Sequence, residues 1–294
     1  MGTRWRVLAA LPGGNDIAMI ERAITARLAG LVAEMSHWDE GSLLSRFNRA
    51  SAGAWIALPP DFATVMARAL ALAGITDGAF DPAIGRLVDL WGFGPPGAQP
   101  MPDAASIAAA RAQSGWRRLT WDGAARRLHQ PGGIALDLSG IAKGYAVDAV
   151  ANLLATHGLR HALVEIGGEL AGRGIRPDGE PWWVELENPP SAALAPLRIA
   201  LHGLGVATSG RYVRGDHNLD PRTGCPPAND VIAASVIAAT AIEADAWASA
   251  LAVMGGEAGI ALADRHGIAA RFVCGGEGRI EERLSEKMRE MIAD

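Results

Sequence analysis

Asp245 and Ser249 lie one helical turn apart within the stretch Thr240 to Ala250, so on a helix both side chains point the same way. A carboxylate and a hydroxyl on one face can hold a hard cation and work on a phosphate ester. Upstream, His217-Asn218-Leu219-Asp220-Pro221-Arg222-Thr223-Gly224 reads as a polar loop. Asp220-Pro221 initiates a turn there, and Gly224 is free to take positive φ. The same spacings also describe a solvated helix face beside an ordinary turn. A third stretch, Ile134 to Leu138, reads as a strand carrying Asp137 to the mouth of a helix that begins Ser139-Gly140-Ile141-Ala142-Lys143-Gly144 and runs to about Thr156. Free N–H groups, the positive end of the helix dipole and the Lys143 cation together make an anion site. The spacing and the Lys-Ser/Thr pair of a Walker A motif are absent.

Strands and helices must position these groups. Alternation over Trp5, Val7, Ala9 and Leu11 predicts an opening strand, followed by a Gly13-Gly14 turn. Asp16 then caps an amphipathic helix with Ile17, Ile20, Ile24, Leu28, Leu31 and Met35 on one face. The segment Ser36 to Asn48 reads as a polar loop presenting Trp38, either to a planar ligand or to the edge of the core. A second helix spans about Asp61 to Ile75, and an Ala-rich one ends near Gln113. Between them, small residues surround Asp81 in Gly78-Ala79-Phe80-Asp81-Pro82, as where backbone approaches something closely. Asp122-Gly123 predicts a hairpin.

Further strands are predicted at Ala162–Ile166, Trp182–Glu187, Leu197–Leu201, Val206–Gly210, Val231–Ala238 and Ile268–Val273. Thr240-Ala241-Ile242-Glu243 reads as a capping box opening the Asp245 helix. A short helix is expected near Ile260–Ala263, and a charged one from about Glu281 closes the chain. The irregular alternation, with hairpins mixed in, predicts an α+β fold in place of a doubly wound sheet.

With 294 residues and 49% hydrophobic content the chain can bury a substantial core. A net charge of −5 and no long basic run argue against nucleic-acid binding. Two distant cysteines, Cys225 and Cys274, form neither a disulfide framework nor a metal-ligand spacing. No apolar run reaches the roughly 18 residues of a membrane span. The start, MGTRWRV, lacks an apolar signal-peptide core. As written the chain is expected to be cytoplasmic, or periplasmic and membrane-anchored if an export signal has been trimmed.

Taken together, the segments MGTRW (1–5), MSHWDEGSLLSRFN (35–48), GAFDPAIGRLVDLWGFGP (78–95), LDLSGIAKGYAVD (136–148), LVEIGGEL (163–170), ATSG (207–210), HNLDPRTGCP (217–226) and TAIEADAWASALAVMG (240–255) resemble, in order, the ApbE family of FAD:protein FMN transferases. The resemblance implies a single domain over 1–294, related to the T-fold, with two interleaved α+β lobes and FAD in the cleft between them. It implies a Mg²⁺-dependent reaction in which FAD is cleaved, FMN is joined through its phosphate to a Thr or Ser of a partner protein, and AMP is released. Some relatives instead hydrolyse FAD to FMN and AMP, and a non-catalytic FAD-binding protein is a further alternative.

Carried onto this sequence, the resemblance makes Asp245, Ser249 and the backbone carbonyl of Gly140 metal ligands. One charge and two neutral oxygens leave octahedral positions for pyrophosphate oxygens and water, as Mg²⁺ prefers. His217 matches the loop histidine proposed to take the acceptor's proton, a task that an imidazole with an ordinary pKa near 6.5 suits at neutral pH. Lys143 should receive phosphate oxygens. Met1, Trp38, Ala79, Phe80, Asp81, Asp137 and Leu219 fall on positions that contact FAD in relatives, with Trp38 placed for stacking. Relatives usually carry Tyr or another aromatic at Trp38, and the segment from Ser209 to His217 is shorter than in many. No Asp-x-Ser/Thr-Gly-Ala-Thr acceptor motif occurs in this chain, so the expected acceptor is another protein bearing one.

Overall fold

The computed structural model describes residues 3–11, 16–190, 192–212, 215, 217–276 and 279–293. In chain order its first elements are β1 (Trp5–Ala9), α1 (Ile17–Met35), α2 (Leu43–Arg49), β2 (Trp55–Ala57), α3 (Pro60–Ile75), α4 (Gly85–Leu90) and α5 (Ala104–Ala112). There follow β3 (Thr120–Asp122), β4 (Arg127–His129), α6 (Ala142–Thr156), β5 (Ala162–Ile166), β6 (Glu169–Arg173), β7 (Trp182–Glu185) and β8 (Arg198–Leu201). The chain closes with β9 (Leu204–Gly210), β10 (Val231–Ala238), α7 (Ala241–Met254), α8 (Gly256–Arg265), β11 (Ala269–Gly276), β12 (Arg279–Leu284) and α9 (Glu286–Ala293). This is the α+β composition read from the sequence. Among the described residues, no helix is long and apolar enough to cross a membrane.

The chain forms two compact units, each assembled from separated segments. The first holds Ala29–Ala142 and Asp216–Ala228; the second holds Gly2–Leu28, Lys143–Gly215 and Asn229–Asp294. In the first unit α2 and α3 bury Leu44, Phe47, Phe62, Val65, Met66 and Ala69. A small antiparallel sheet, ordered β2-β4-β3, adds Leu128. In the second unit an all-antiparallel sheet of seven strands runs β1-β5-β6-β9-β10-β11-β12. Leu163, Trp182, Leu201, Val206, Ile237 and Met288 share one apolar cluster there. Helix α7 packs on β9 and β10, and its alanines at 244, 246, 248, 250 and 252 are all buried. A helix of such small side chains can approach a sheet closely.

Several expectations meet their reasons here. Asp16 caps α1, accepting from the Met19 N–H at 3.1 Å, while the Gly13-Gly14 turn lies outside the described residues. The segment Ser36 to Asn48 is not all loop. Ser42 Oγ accepts from Ser45 N–H at 3.0 Å and starts α2, whose Leu44 and Phe47 are fully buried. Trp38 stays 60% exposed and does not cap the core.

Ile134 to Leu138 is buried but, among the described residues, joins no sheet. Its backbone is instead paired by Asn48, which bonds both Leu136 O and Leu136 N, by Gly85 N–H at Ala135 O, and by Pro82 O at Asp137 N–H. Gly85 sits so close that an added Cβ would come within 2.8 Å of Ala135 O. Periodicity cannot separate such a buried run from a strand, because the distinction lies in who supplies the partners.

Nor does a helix begin at Glu281. Arg279–Leu284 pairs with β11 as an edge strand, and the helix starts at Glu286. The charges that suggested a solvated helix face instead decorate a sheet edge, where they discourage further pairing.

Candidate active site

In the second unit, α6 and α7 meet at glycines. A Cβ on Gly144 would lie 2.2 Å from Ala241 O, and one on Gly205 would lie 2.5 Å from Ala241 N. The start of α7 is thus pinched between α6 and β9. The N-terminal N–H groups of α7 are not satisfied by a capping box. Thr240 Oγ donates to the Glu243 carboxylate at 3.0 Å, and the cap is supplied from α6: Asp148 accepts from Ala241 N–H at 3.1 Å and Ile242 N–H at 2.9 Å. Burial raises the Asp148 pKa against the opposing pull of these two bonds. Gly144→Ala should therefore force the two helices apart. Overpacking of this kind costs about 1–3 kcal/mol or more, read as a lower midpoint in urea unfolding.

Asp245 is 4% exposed, and its Oδ2 accepts from Gly144 N–H at 2.9 Å. One of the amides at the mouth of α6, read from the sequence as an anion site, therefore already holds the chain's own carboxylate. Ser249 follows one turn along the same helix and is half-buried. Lys143 forms an ion pair with Glu169 Oε1, and Glu169 Oε2 is buried without a partner among the described residues. Burial, then the charge of Asp245, pushes the Glu169 pKa up to about 7, with Lys143 pulling the other way. Burial likewise raises Asp245, opposed by Lys143 and the Gly144 amide. Two carboxylates and one lysine thus gather around the α6–α7 contact, with the Ser249 hydroxyl one turn further along α7. Hard oxygen donors suit Mg²⁺ in chemistry and in charge.

In the first unit, the loop carrying His217 is built as its residues suggested. Asp220 N–H bonds Cys225 O at 2.8 Å, Gly224 N–H bonds Asp220 O at 2.7 Å, and Gly224 has φ +77°. The Asp220 carboxylate is clamped by the Arg222 guanidinium at 2.8 Å through both Nε and Nη2. Trp91 Nε1 donates to Gly224 O at 2.8 Å, and Arg111 reaches Arg222 O. The His217 ring sits edge-on to Phe93, with centroids 6.5 Å apart. Leu219 is buried. A loop held at this many points can aim an imidazole without help from regular structure.

Asp137, also in this unit, is buried and accepts from Ser139 through both backbone N–H, at 2.7 Å, and hydroxyl, at 2.5 Å. Its other oxygen lies 3.4 Å from His37 Nδ1, and the His37 ring is 5.1 Å from that of Trp38. Asp81 spends both oxygens on backbone, accepting from Ala83 N–H at 2.7 Å and Trp116 N–H at 3.0 Å. Burial pushes its pKa to about 6. Ala79 and Phe80 are buried beside it. Gly140 is half-buried near the end of the unit's first segment. Met1 lies outside the described residues.

The second unit therefore brings together Lys143 and Asp245, with Ser249 one turn along the same helix as Asp245, and the first groups Trp38, through His37, with Asp137 and orders the loop of His217 and Leu219. Two groups were missed in the sequence. Glu169 stood in plain view after Gly167-Gly168, and His37 beside Trp38, but only folding sets one against Lys143 and the other against Asp137. A separate apolar hollow of about 800 Å³, lined by Trp5, Ile20, Leu154, Leu163 and Trp182 among others, has Glu21 and Arg176 as its charged lining among the described residues. It contains none of these groups.

A family model described as the ApbE family matches residues 1–272. This chain belongs to the ApbE family. A relative from Vibrio cholerae serotype O1, called FAD:protein FMN transferase, is 34% identical over 100% of this chain and 91% of its own length. Two solved structures share the ApbE fold of this chain. The flavin transferase ApbE from Vibrio cholerae superposes with a TM-score of 0.92 at 34% identity, covering 99% of this chain and 96% of the other. The apo form of Pseudomonas stutzeri flavinyl transferase ApbE gives 0.90 at 37%, covering 98% and 92%.

Proposed function

We propose that this chain is a FAD:protein FMN transferase acting as one domain over its length. The hydroxyl oxygen of a Thr or Ser on a partner protein attacks the phosphorus on the FMN side of the FAD pyrophosphate. The bond from that phosphorus to the bridging oxygen breaks, and AMP leaves with the bridging oxygen. The observation that carries this reading is the oxygen-rich Asp245 cluster beside Lys143 in a chain so similar to a named transferase.

His217 takes the proton of the attacking hydroxyl, its loop held by Asp220, Trp91 and Arg111. Lys143 meets phosphate oxygens at the start of α6, where the helix dipole adds to its charge. Asp245, Ser249 and the Gly140 carbonyl are the residues that would hold Mg²⁺. That ion supplies positive charge against the pyrophosphate when bound. Trp38, being exposed, offers a stacking face for a flavin or adenine ring. Asp137, Leu219, Met1 and the turn Ala79-Phe80-Asp81 complete the FAD contacts.

The acceptor is proposed to be a separate protein with an Asp-x-Ser/Thr-Gly-Ala-Thr motif. Incubation with FAD, Mg²⁺ and a domain bearing that motif tests the assignment. Covalent FMN on the domain, seen as a mass increase and in-gel fluorescence, is the expected result. Free FMN and AMP with no adduct would instead make the protein an FAD pyrophosphatase, and FAD bound but intact would make it a binding protein.

A further inference from the structure

We infer that Glu169 is the second anionic group of the cation site, its Oε2 facing the ion that Asp245 binds. The inference rests on the proposed role of Asp245 as a metal ligand.

The hairpin between β5 and β6 has a two-residue connection. Ile166 pairs with Glu169, and Gly167 and Gly168 between them have φ of +66° and +103°. Such a turn fixes register, so it fixes which face Glu169 takes as the first residue of β6. That face is inward: the side chain is 4% exposed. One carboxylate oxygen meets Lys143 and the other is buried with no partner among the described residues. A buried, unpaired carboxylate oxygen bears its full desolvation penalty. The expected compensation is a cation or a proton.

The charges around it favour a cation. Asp245, itself 4% exposed, acts electrostatically on Glu169, and Lys143 acts on both. Among the described residues, no other cation acts on either carboxylate. Two buried carboxylates against one lysine leave the cluster one positive charge short. Lys143 alone satisfies one oxygen of Glu169, and Gly144 N–H satisfies one of Asp245. A divalent cation at Asp245 would more than offset that deficit, leaving positive charge for the anionic pyrophosphate, and would give the orphaned oxygen a partner. A Lys–Glu pair kept only for structure would leave Oε2 without a role.

The rival readings differ in sign when the ion is titrated directly. Mn²⁺ binding to the FAD-free protein, followed by electron paramagnetic resonance and repeated with Mg²⁺ by calorimetry, is compared for wild type, Asp245→Asn, Glu169→Gln, Glu169→Asp and Lys143→Gln. Circular dichroism melts confirm that each variant is folded. Glu169→Gln should weaken the ion about 10–100-fold, the range found when groups supporting a metal site are lost, and Glu169→Asp should recover part of it. Lys143→Gln should tighten the ion severalfold, because it removes a competing cation and leaves Glu169 wholly to the metal. Should Glu169→Gln not fold, the sign of the Lys143→Gln effect decides alone. Wild-type affinity in Glu169→Gln, or unchanged or weakened binding in folded Lys143→Gln, overturns the inference while a loss in Asp245→Asn leaves the Asp245 site standing. Wild-type binding in Asp245→Asn, or no binding by the wild type, sinks the cation site and the role of Glu169 with it.

Discussion

Asp245→Asn is expected to retain FAD affinity and to release AMP on the order of 10³-fold more slowly than wild type, since a metal's charge at a phosphoryl centre is worth several kcal/mol. Asparagine is the cleaner substitution because its carbonyl can still accept from Gly144 N–H, a bond of 2.9 Å in the native protein. Alanine would leave that buried amide unpaired and remove packing from the α6–α7 contact, mixing instability into the rate. The measurement is single-turnover AMP release at saturating Mg²⁺, with FAD affinity taken on the same preparation by flavin fluorescence. AMP release at the wild-type rate would refute Asp245 as a ligand. A large loss of FAD affinity with an unchanged bound-state rate would reassign it to substrate binding.

His217→Ala should slow transfer by about 10²–10⁴-fold, the usual worth of a positioned general base. FAD and metal affinity should hardly change, because the loop around the imidazole is secured by other residues. The Asp220–Arg222 clamp, the Trp91 bond to Gly224 O and the Asp220–Cys225 bridge do not involve the His217 ring. The ring packs edge-on against Phe93. Wild-type transfer should fall as the pH drops through the range where an imidazole takes up a proton, and the residual rate of the variant should lack that inflection. If FAD affinity collapses and the rate of the bound complex does not, His217 serves the loop and another group takes the proton.

The site was readable in the sequence wherever chemistry and local geometry coincide. Asp245 and Ser249 are joined by helical periodicity, Gly224 by the positive φ that its turn demands, and Lys143 by its place in the first turn of a helix. The α+β class, most strands of the large sheet and the longer helices α1, α3 and α5 followed from patterning of the same local kind, whereas α2 reads as loop and α4 is not foreseen. Misreadings arose where the partner of a backbone group was distant. The Thr240 capping box had the right letters, but Asp148 from α6 reached the amides first. The run Ile134 to Leu138 had a strand's composition, but Asn48, Gly85 and Pro82 took its hydrogen bonds.

By itself the sequence determined most of the elements, the loop geometry around His217 and the family resemblance, because each depends on residues near one another or on motifs in order. Only the tertiary structure decided that Glu169 shares Lys143 with Asp245, and that His37 stands against Asp137. It also decided that Gly144 and Gly205 must lack side chains so that α7 can enter between α6 and β9. No periodicity encodes such pairings. They arise when segments far apart in the chain are packed until charges, amides and bare Cα atoms touch, and the cost of leaving any of them unmatched selects the arrangement.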